Sequence, residues 1–194
     1  RDADIVVKSY IALMQQHNIA SDYIYADAFR GDSARRDLLK ALEYVPGGGL
    51  PYVLNKTEIG TLTVPRLPQG YSFGAARGLE DAARLAAVHN ASFSPNWTPA
   101  LYRKVMASPG YAPERELVIR GPDGAFVAFT IIWFDPLNRT GSFEPVGTHK
   151  GYRRRGFGRA LMAYGMQQMA AAGMVLATVA HFGDNAAARG LYQA

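Results

Sequence analysis

A short basic and glycine-containing segment between a strand and a helix constrains the fold of this chain more than any other feature. The strand pattern 141–147 leads into the basic run 149–155, and Gly156-Phe157-Gly158 then opens a helix with apolar residues at three- and four-residue steps. Glycines let a backbone approach a ligand closely, and the free N–H groups of a helix N-terminus attract anions. The segment therefore predicts a phosphate-binding turn. A tight strand-to-helix connection with a solvated basic face is the structural alternative.

Two well-known phosphate motifs do not fit this segment. The P-loop needs Gly-x-x-x-x-Gly-Lys-(Ser/Thr), which is absent from the sequence. The dinucleotide fingerprint Gly-x-Gly-x-x-Gly follows the first strand of a β-α-β unit. Here the segment follows strands 116–120 and 125–133, and the turn sequence Gly121-Pro122-Asp123-Gly124 predicts that these form an antiparallel hairpin.

Helical and strand patterns alternate along the chain, which predicts an α/β or α+β architecture. Residues 65–70 contain two prolines and a glycine, cannot continue a helix or a strand, and predict a boundary near residue 66. The other patterns predict helices through 6–17, 33–41, 79–88, 101–106, 156–172 and after a cap at Asp184 or Asn185, and strands at 23–26, 52–54, 71–73, 141–147 and 175–180.

Composition argues against several function classes. Without cysteine the chain has no disulfide, thiolate nucleophile or cysteine metal site, and its four histidines lack ligand spacing, so we expect no metal. The net charge of +5 is concentrated at 149–155 rather than interleaved with stacking aromatics, so we expect no nucleic-acid binding. No segment approaches the about 18 apolar residues of a membrane helix, and the N-terminus lacks a signal-peptide pattern. We therefore expect a cytoplasmic protein without membrane association.

An internal repeat is visible when residues 22–41 are laid on residues 175–194 without gaps. Both segments follow a helical pattern and read as strand, polar turn and helix. The identical pairs are Phe29 with Phe182, Ala34 with Ala187, Arg36 with Arg189, Leu38 with Leu191, and Ala41 with Ala194. We expect two tandem copies, with 1–66 the C-terminal part of a degenerate first copy and 67–194 a second copy without its C-terminal strand. On this expectation the chain is part of a longer protein.

Two motifs carry a family resemblance. The segment Val146-Gly147-Thr148-His149-Lys150-Gly151-Tyr152-Arg153-Arg154-Arg155-Gly156-Phe157-Gly158-Arg159-Ala160-Leu161 is similar to the signature of the GNAT superfamily of N-acetyltransferases. In that signature a strand runs into (Arg/Gln)-x-x-Gly-x-(Gly/Ala) and then a helix. Downstream, Asn185-Ala186-Ala187-Ala188-Arg189-Gly190-Leu191-Tyr192 resembles the second family element, in which an asparagine starts a helix and a tyrosine lies seven residues on.

The resemblance covers residues 71–194 and, with the repeat, extends to the tandem architecture of mycothiol synthase-like acetyltransferases. It implies a GNAT fold, which is a mixed and mostly antiparallel central sheet flanked by helices, with a partial second copy at the N-terminus. It also implies direct transfer of acetyl from acetyl-CoA, the cosubstrate, to an amine of a small molecule or peptide.

The resemblance further implies roles for individual residues. The backbone of Val146, Gly147 and Thr148 would pair with the pantetheine arm of the cofactor, and Asn185 would contact the same arm. Tyr192 would protonate the leaving thiolate, with a packed aromatic as the structural alternative. The pyrophosphate would be held by Arg153, Arg154, Arg155, Gly156, Phe157 and Gly158.

Attack on a thioester needs a neutral amine, so a base must remove a proton. Glu144 is the first candidate, because strand alternation gives it the same side-chain parity as Val146 and Thr148. A solvated or salt-bridged glutamate is the alternative. His181, at the end of the next strand, is the second candidate, with a capping or surface role as its alternative.

The helix-loop-helix region of this family usually shapes the acceptor pocket, and Trp97 and Tyr102 fall there, with core packing as the alternative. One departure from the family pattern is Lys150, where many relatives have proline. In the first copy, Leu39 and Asp32 stand at the positions of the catalytic tyrosine and the asparagine, so that copy is expected to lack catalysis.

Other functions remain open at this point. A non-catalytic module that binds acyl-CoA for regulation would need the same loop but no catalytic tyrosine. A nucleic-acid binder would use the basic run and show a steep salt dependence. A homodimer is compatible with an incomplete copy that needs a partner strand.

Overall fold

The computed structural model describes residues 26–47 and 50–193, which fall into two compact units divided after residue 49. In the first unit, helix α1 spans Ser33–Ala41, and the Asp32 carboxylate caps it by accepting a hydrogen bond from the Arg35 N–H at 2.9 Å. This agrees with the predicted cap. The predicted helix at 6–17 and residues 23–25 of the predicted strand lie outside the described residues, so the partial first GNAT copy is not shown.

The second unit is built on a six-stranded sheet with the order β1-β6-β5-β4-β3-β2. All neighbouring pairs are antiparallel except β5 and β6, which are parallel. The sheet is therefore mixed and mostly antiparallel, as the resemblance implied. The strands are β1 (Tyr52–Glu58), β2 (Ser72–Ala75), β3 (Glu116–Arg120), β4 (Phe126–Asp135), β5 (Thr140–Thr148) and β6 (Leu176–Phe182).

Helices cover both faces of this sheet, and β3 and β4 are accordingly buried along most of their length. On β3, Leu117 and Ile119 join the cluster of helix α4, whereas Val118 between them joins the cluster of α2 and α3. Alternate strand residues point to opposite faces, so the two clusters lie on opposite sides. The helices are α2 (Ala82–Ser92), α3 (Pro99–Met106), α4 (Phe157–Ala171) and α5 (Ala186–Tyr192), with 3-10 segments at Gly78–Asp81, Pro113–Arg115 and Lys150–Tyr152.

Strands β5 and β6 separate part-way along their length. Among the described residues, their pairing ends at Phe143 and Val179. Beyond that point Val146 to Thr148 pair only with β4, and Ala180 to Phe182 pair only with β1. The result is a wedge, open between the two strands, in the middle of the sheet.

A bulge in β5 lies where this wedge begins. Thr130 of β4 pairs with Val146, but Ile132 pairs with Phe143, so β5 contains one extra residue at Glu144 and Pro145. Phe143 and Val146 consequently both pack in the α4-side cluster. The predicted parity of Glu144 assumed that side chains alternate strictly along this strand. The bulge interrupts that alternation, so the assumption is wrong.

Strand β1 lies N-terminal to the boundary predicted near residue 66. It nevertheless forms an edge strand of the second unit, paired with β6 from Tyr52 opposite Phe182 to Glu58 opposite Leu176. The predicted division into a partial first copy at 1–66 and a second copy at 67–194 stays a prediction. No helix in the described part of the chain is long and apolar enough to span a bilayer.

Candidate active site

The wedge between β5 and β6 opens into a cavity of about 840 Å³. Its wall combines the separated ends of both strands, the segment that follows β5, the first turn of α4 and most of α5. Residues from 143–159 and 179–192 therefore meet there, together with Tyr52, Ser92 and Phe93. Of the residues predicted for the site, the lining contains Glu144, Val146, Gly147, Thr148, Arg153, Arg154, Gly156, Phe157, Gly158, His181, Asn185 and Tyr192.

The segment between β5 and α4 exposes a row of backbone donors. Arg154 and Gly156 adopt left-handed conformations with φ of 62° and 80°, which turn the chain sharply into α4. The N–H groups of residues 155 to 158 donate to no other described residue, as expected for the first turn of a helix without a side-chain cap. Successive free N–H groups at a helix N-terminus form an anion site.

Little room is left for side chains beside these donors. A Cβ atom at Gly158 would lie 3.3 Å from both Thr148 Oγ1 and Leu191 Cδ2. A Cβ at Gly147 would collide with the Phe129 ring. Both glycines therefore permit close approach of neighbouring groups. The sequence pattern predicted this for Gly158 in the loop segment but not for Gly147 in the strand.

The arginines of the basic run are placed differently from one another. The Arg153 guanidinium donates to the backbone oxygens of Ser92 at 2.6 Å and Thr148 at 3.3 Å, so it ties the end of α2 to the loop. Arg155 lies over the Tyr152 ring at 5.3 Å and is not among the lining residues. Arg154 lines the cavity and is exposed. Its side chain is therefore the one of the three best placed to add charge to a bound phosphate.

The backbone of Val146 to Thr148 has one hydrogen-bonding edge on β4 and the other toward the wedge. Thr130, Phe129 and Ala128 of β4 pair with these three residues. Because β6 has already separated, the second edge can accept an extended ligand in the manner of an added strand. The predicted contact of these residues with a pantetheine arm stays a prediction.

Tyr192 and Glu144 approach each other across the cavity. Burial, together with the negative charge of Glu144, raises the pKa of Tyr192 to about 12. The phenol therefore keeps its proton throughout the physiological range. Glu144 is solvent-accessible at the cavity wall, yet neighbouring protein atoms desolvate its carboxylate and raise its pKa above the usual value. A raised pKa makes a carboxylate a stronger base.

Asn185 is the N-cap of α5, and its side-chain oxygen accepts a hydrogen bond from the Ala188 N–H at 3.0 Å. The residue also lines the cavity. Its observed role is to fix the start of the helix that carries Tyr192. The predicted contact with the cofactor arm stays a prediction.

Trp97 and Tyr102 pack in the α2–α3 layer rather than in the cavity wall. Both rings surround the His89 imidazole, at centroid distances of 4.6 Å and 6.4 Å. Tyr102 is buried and donates its hydroxyl to the Glu116 carboxylate. From this region the cavity is lined instead by Ser92 and the exposed Phe93 at the end of α2, which the sequence did not single out.

Comparison with known proteins agrees with this geometry. A sequence model described as the acetyltransferase (GNAT) family matches residues 82–194, more than half of the chain. This chain belongs to the GNAT acetyltransferase family. Enzymes of the family use acetyl-CoA as cosubstrate. No match was found among curated proteins.

Solved structures show the same fold at low sequence identity. A GCN5-related N-acetyltransferase from Sphaerobacter thermophilus aligns with a TM-score of 0.63 and 19% identity, over 84% of this chain and 52% of its own. A tandem GNAT protein from the clavulanic acid biosynthesis pathway aligns with a TM-score of 0.63 and 12% identity, over 87% and 57% of the two chains. The ribosomal-protein-S18-alanine N-acetyltransferase from Escherichia coli gives 0.52 and 20%, over 63% and 74%. The chain thus spans about half the length of the first of these relatives.

Proposed function

We propose that this GNAT-family chain is an N-acetyltransferase that passes the acetyl group of acetyl-CoA directly to an amine. The observation that carries the proposal is the convergence of three features on one cavity. These are the unpaired N–H groups of residues 156–158, the free edge of β5, and the pair formed by Glu144 and Tyr192.

The features around this cavity support the binding of acetyl-CoA. The N–H groups at the start of α4 would bind its pyrophosphate, with Arg154 adding charge. Val146 and Thr148 would bond the pantetheine amides along the wedge, which leads toward Tyr192. When bound, acetyl-CoA supplies the activated acetyl group, and the remaining chemistry falls to the side chains around it.

Glu144 is proposed to accept a proton from the incoming amine, because its carboxylate is desolvated and its pKa is raised. Tyr192 is proposed to donate its hydroxyl proton to the sulfur that leaves. Its phenol suits this role because it stays protonated until about pH 12. Attack by the amine itself needs no covalent enzyme intermediate, which accords with the absence of cysteine from the chain.

We also propose that residues 1–66 derive from a degenerate first GNAT copy. The gapless repeat between 22–41 and 175–194 supports this proposal, and so does the likeness to a tandem GNAT protein. The described part of the repeat agrees locally, because Asp32 caps α1 as Asn185 caps α5. The same tandem arrangement is the ground for the proposed likeness to mycothiol synthase-like acetyltransferases.

The cofactor site is tested by calorimetric titration of acetyl-CoA and CoA into the wild type and Gly156→Glu. The new carboxylate would stand among the proposed phosphate donors, so we expect affinity to fall by about 10²-fold, or about 2.7 kcal/mol. Gly110→Glu is the matched control, because Gly110 has a similar φ of 83°, equally open surroundings and no place in the cavity wall. Equal affinities for the two variants would place the site elsewhere, and absence of binding by the folded wild type would refute the function.

The reaction itself is tested by release of the CoA thiol in the presence of candidate amines. A peptide with N-terminal alanine and free glucosamine are reasonable first acceptors. Proteins with a similar fold include a ribosomal-protein-S18-alanine N-acetyltransferase and a glucosamine N-acetyltransferase region. Tight acetyl-CoA binding without thiol release for any amine would favour the non-catalytic acyl-CoA-binding module.

A further inference from the structure

Three exposed aromatic side chains line the cavity of the candidate active site. Tyr52, Phe93 and Phe182 are 58%, 51% and 47% exposed, and all three belong to the cavity wall. Among the described residues of the second unit, every other tyrosine, phenylalanine and tryptophan is buried or half-buried. Exposed aromatic surface that is concentrated at one cavity indicates a binding surface rather than part of the core. We call these three side chains the aromatic rim.

Two members of the aromatic rim lie on the face of the sheet opposite α4. On β6, Ala177 and Val179 pack in the α4-side cluster, so strand alternation directs the side chain of Phe182 to the other face. Tyr52 of β1 pairs directly with Phe182, and their ring centroids are 4.4 Å apart. The two rings therefore form one continuous aromatic surface at the separated end of β6.

The third member, Phe93, follows the C-terminus of α2 on this same face. Its ring centroid lies 5.0 Å from that of His89 and 6.2 Å from that of Phe129. Phe129 belongs to the cluster beneath α2 and α3. Contacts within this layer therefore hold the Phe93 ring from one side, while about half of its surface stays free to contact a ligand.

The features proposed to bind acetyl-CoA lie on the other side of the cavity. The free N–H groups are at the start of α4, and Val146 and Tyr192 pack against the α4-side cluster. Direct transfer requires both substrates in the cavity at the same time. We therefore expect the acceptor to approach from the face of the sheet on which the aromatic rim lies.

The charges of the cavity wall restrict the acceptor further. Among the described residues, Glu144 is the one carboxylate in this wall, whereas Arg153, Arg154 and Arg159 all line it. A polyamine or an aminoglycoside carries several ammonium groups, of which Glu144 can balance one, and the remaining groups would be repelled by the arginines. An amine with a single positive charge and an apolar body matches both the carboxylate and the aromatic rim.

We propose that the acceptor is a primary amine that carries an aromatic group, which packs on the aromatic rim while the amine reaches Glu144. This proposal rests on the acetyltransferase function proposed above and names its substrate class. A flat apolar group would bury surface against the rings of Tyr52, Phe93 and Phe182 and find offset-stacked or edge-to-face contacts there. Free arylalkylamines and peptides with an N-terminal phenylalanine share this chemistry.

The acceptor preference is measured as kcat/KM for release of the CoA thiol by the full chain. Phenethylamine and ethylamine differ by one phenyl ring, and peptides that begin with phenylalanine or alanine differ in the same way. We expect the ring to raise kcat/KM by about 10²-fold in at least one pair. A preference in the amine pair alone would identify a small-molecule acceptor, and one in the peptide pair alone a peptide. Equal values within both pairs, or higher values for glucosamine or spermidine, would overturn the proposal.

Substitutions in the aromatic rim show whether these side chains cause the preference. Phe93→Ala and Phe182→Ala should each lower the ratio of kcat/KM between the aromatic acceptor and its ring-free counterpart by about 10-fold. Phe182→Tyr keeps a ring and should keep the ratio. Leu79→Ala is the matched control, because Leu79 is 61% exposed and lies outside the cavity wall. Phe93 and Phe182 lie on different elements, so a folding defect in one variant would leave the other as the test.

Acetyl-CoA titrations and sedimentation of the same variants exclude other occupants of the aromatic rim. Weaker acetyl-CoA binding by Phe93→Ala and Phe182→Ala would mean that the rim contacts the cofactor, and a loss of dimers would mean that a second copy covers it. Either result would overturn the proposal. Absence of acetyl-CoA binding and of thiol release in the wild type would refute the acetyltransferase function, whereas an active wild type without an aromatic preference would refute only the substrate class.

Discussion

At the scale of the residue, the environment of Glu144 predicts how the proposed reaction depends on pH. Burial by neighbouring protein atoms raises its pKa above 4.5, the ordinary value for glutamate. The base must be the carboxylate, so kcat should fall as pH drops through this raised pKa, earlier than an ordinary glutamate would allow. On the alkaline side, Tyr192 should impose no limit below about pH 12. A pH–rate profile of thiol release checks the expected fall of kcat on the acidic side and its expected absence on the alkaline side.

A variant that removes the negative charge of Glu144 tests its proposed role as the base. Glu144→Gln should lower kcat by about 10²- to 10⁴-fold and abolish the acidic limb, while acetyl-CoA affinity stays unchanged. Glu80→Gln, at an exposed position outside the cavity, is the control and should match the wild type. If Glu144→Gln retains the wild-type rate, another group accepts the proton from the amine.

At the scale of the element, local signals predicted the hairpin and the helices of the described residues well. Asp32 and Asn185 cap their helices, Gly173 with φ of 84° follows the end of α4, and Gly124 with φ of 79° turns the β3–β4 hairpin. Each of these caps and turns involves only residues that are close together in the sequence.

Long-range packing could not be predicted in the same way. The pairing of β1 with β6 joins residues more than 100 positions apart, and no pattern in either strand specifies that neighbour. The bulge at Glu144 and Pro145 became visible only through the register with β4. Trp97 and Tyr102 were placed correctly on the helix-loop-helix region, but the structure orients them into the core.

The short helix α5 yields a prediction of its own. It has seven residues, none of them buried, so its order depends heavily on the Asn185 cap. Asn185→Ala should destabilise the helix by about 1 kcal/mol and lower kcat by displacing Tyr192, whereas Asn185→Asp retains a capping oxygen and should stay close to the wild type. Circular dichroism and thiol-release kinetics of the two variants check this. Equal loss in both would instead indicate a direct contact of the amide with the cofactor.

At the scale of the whole molecule, a buried carboxylate joins elements on the side of the sheet away from α4. Glu116 at the start of β3 is fully buried, and it accepts hydrogen bonds from Tyr102 of α3 and, at 2.6 Å, from Tyr111 of the following segment. Burial raises its pKa, although both hydroxyls act in the opposite direction. The folded protein therefore holds this proton to a higher pH than the unfolded chain does.

This difference predicts how stability depends on pH. Below the unfolded pKa of about 4.5, Glu116 is protonated in both states and contributes its full stability. As pH rises through the raised folded pKa, the unfolded chain has already released its proton, so the free energy of unfolding decreases. Glu116→Gln cannot ionise and should escape this loss. The variant should therefore gain stability relative to the wild type as pH rises from the unfolded pKa through the raised folded pKa.

Urea unfolding followed by tryptophan fluorescence measures the effect, because both tryptophans, Trp97 and Trp133, lie in the second unit. Glu116→Ala is the control, and it should lose about 3 kcal/mol because it leaves a cavity and two unpaired tyrosine hydroxyls. A constant difference between Glu116→Gln and the wild type at every pH would mean that Glu116 titrates alike in both states. Its two hydroxyl donors would then fully offset its burial, and the carboxylate would join α3 to β3 without cost to stability at neutral pH.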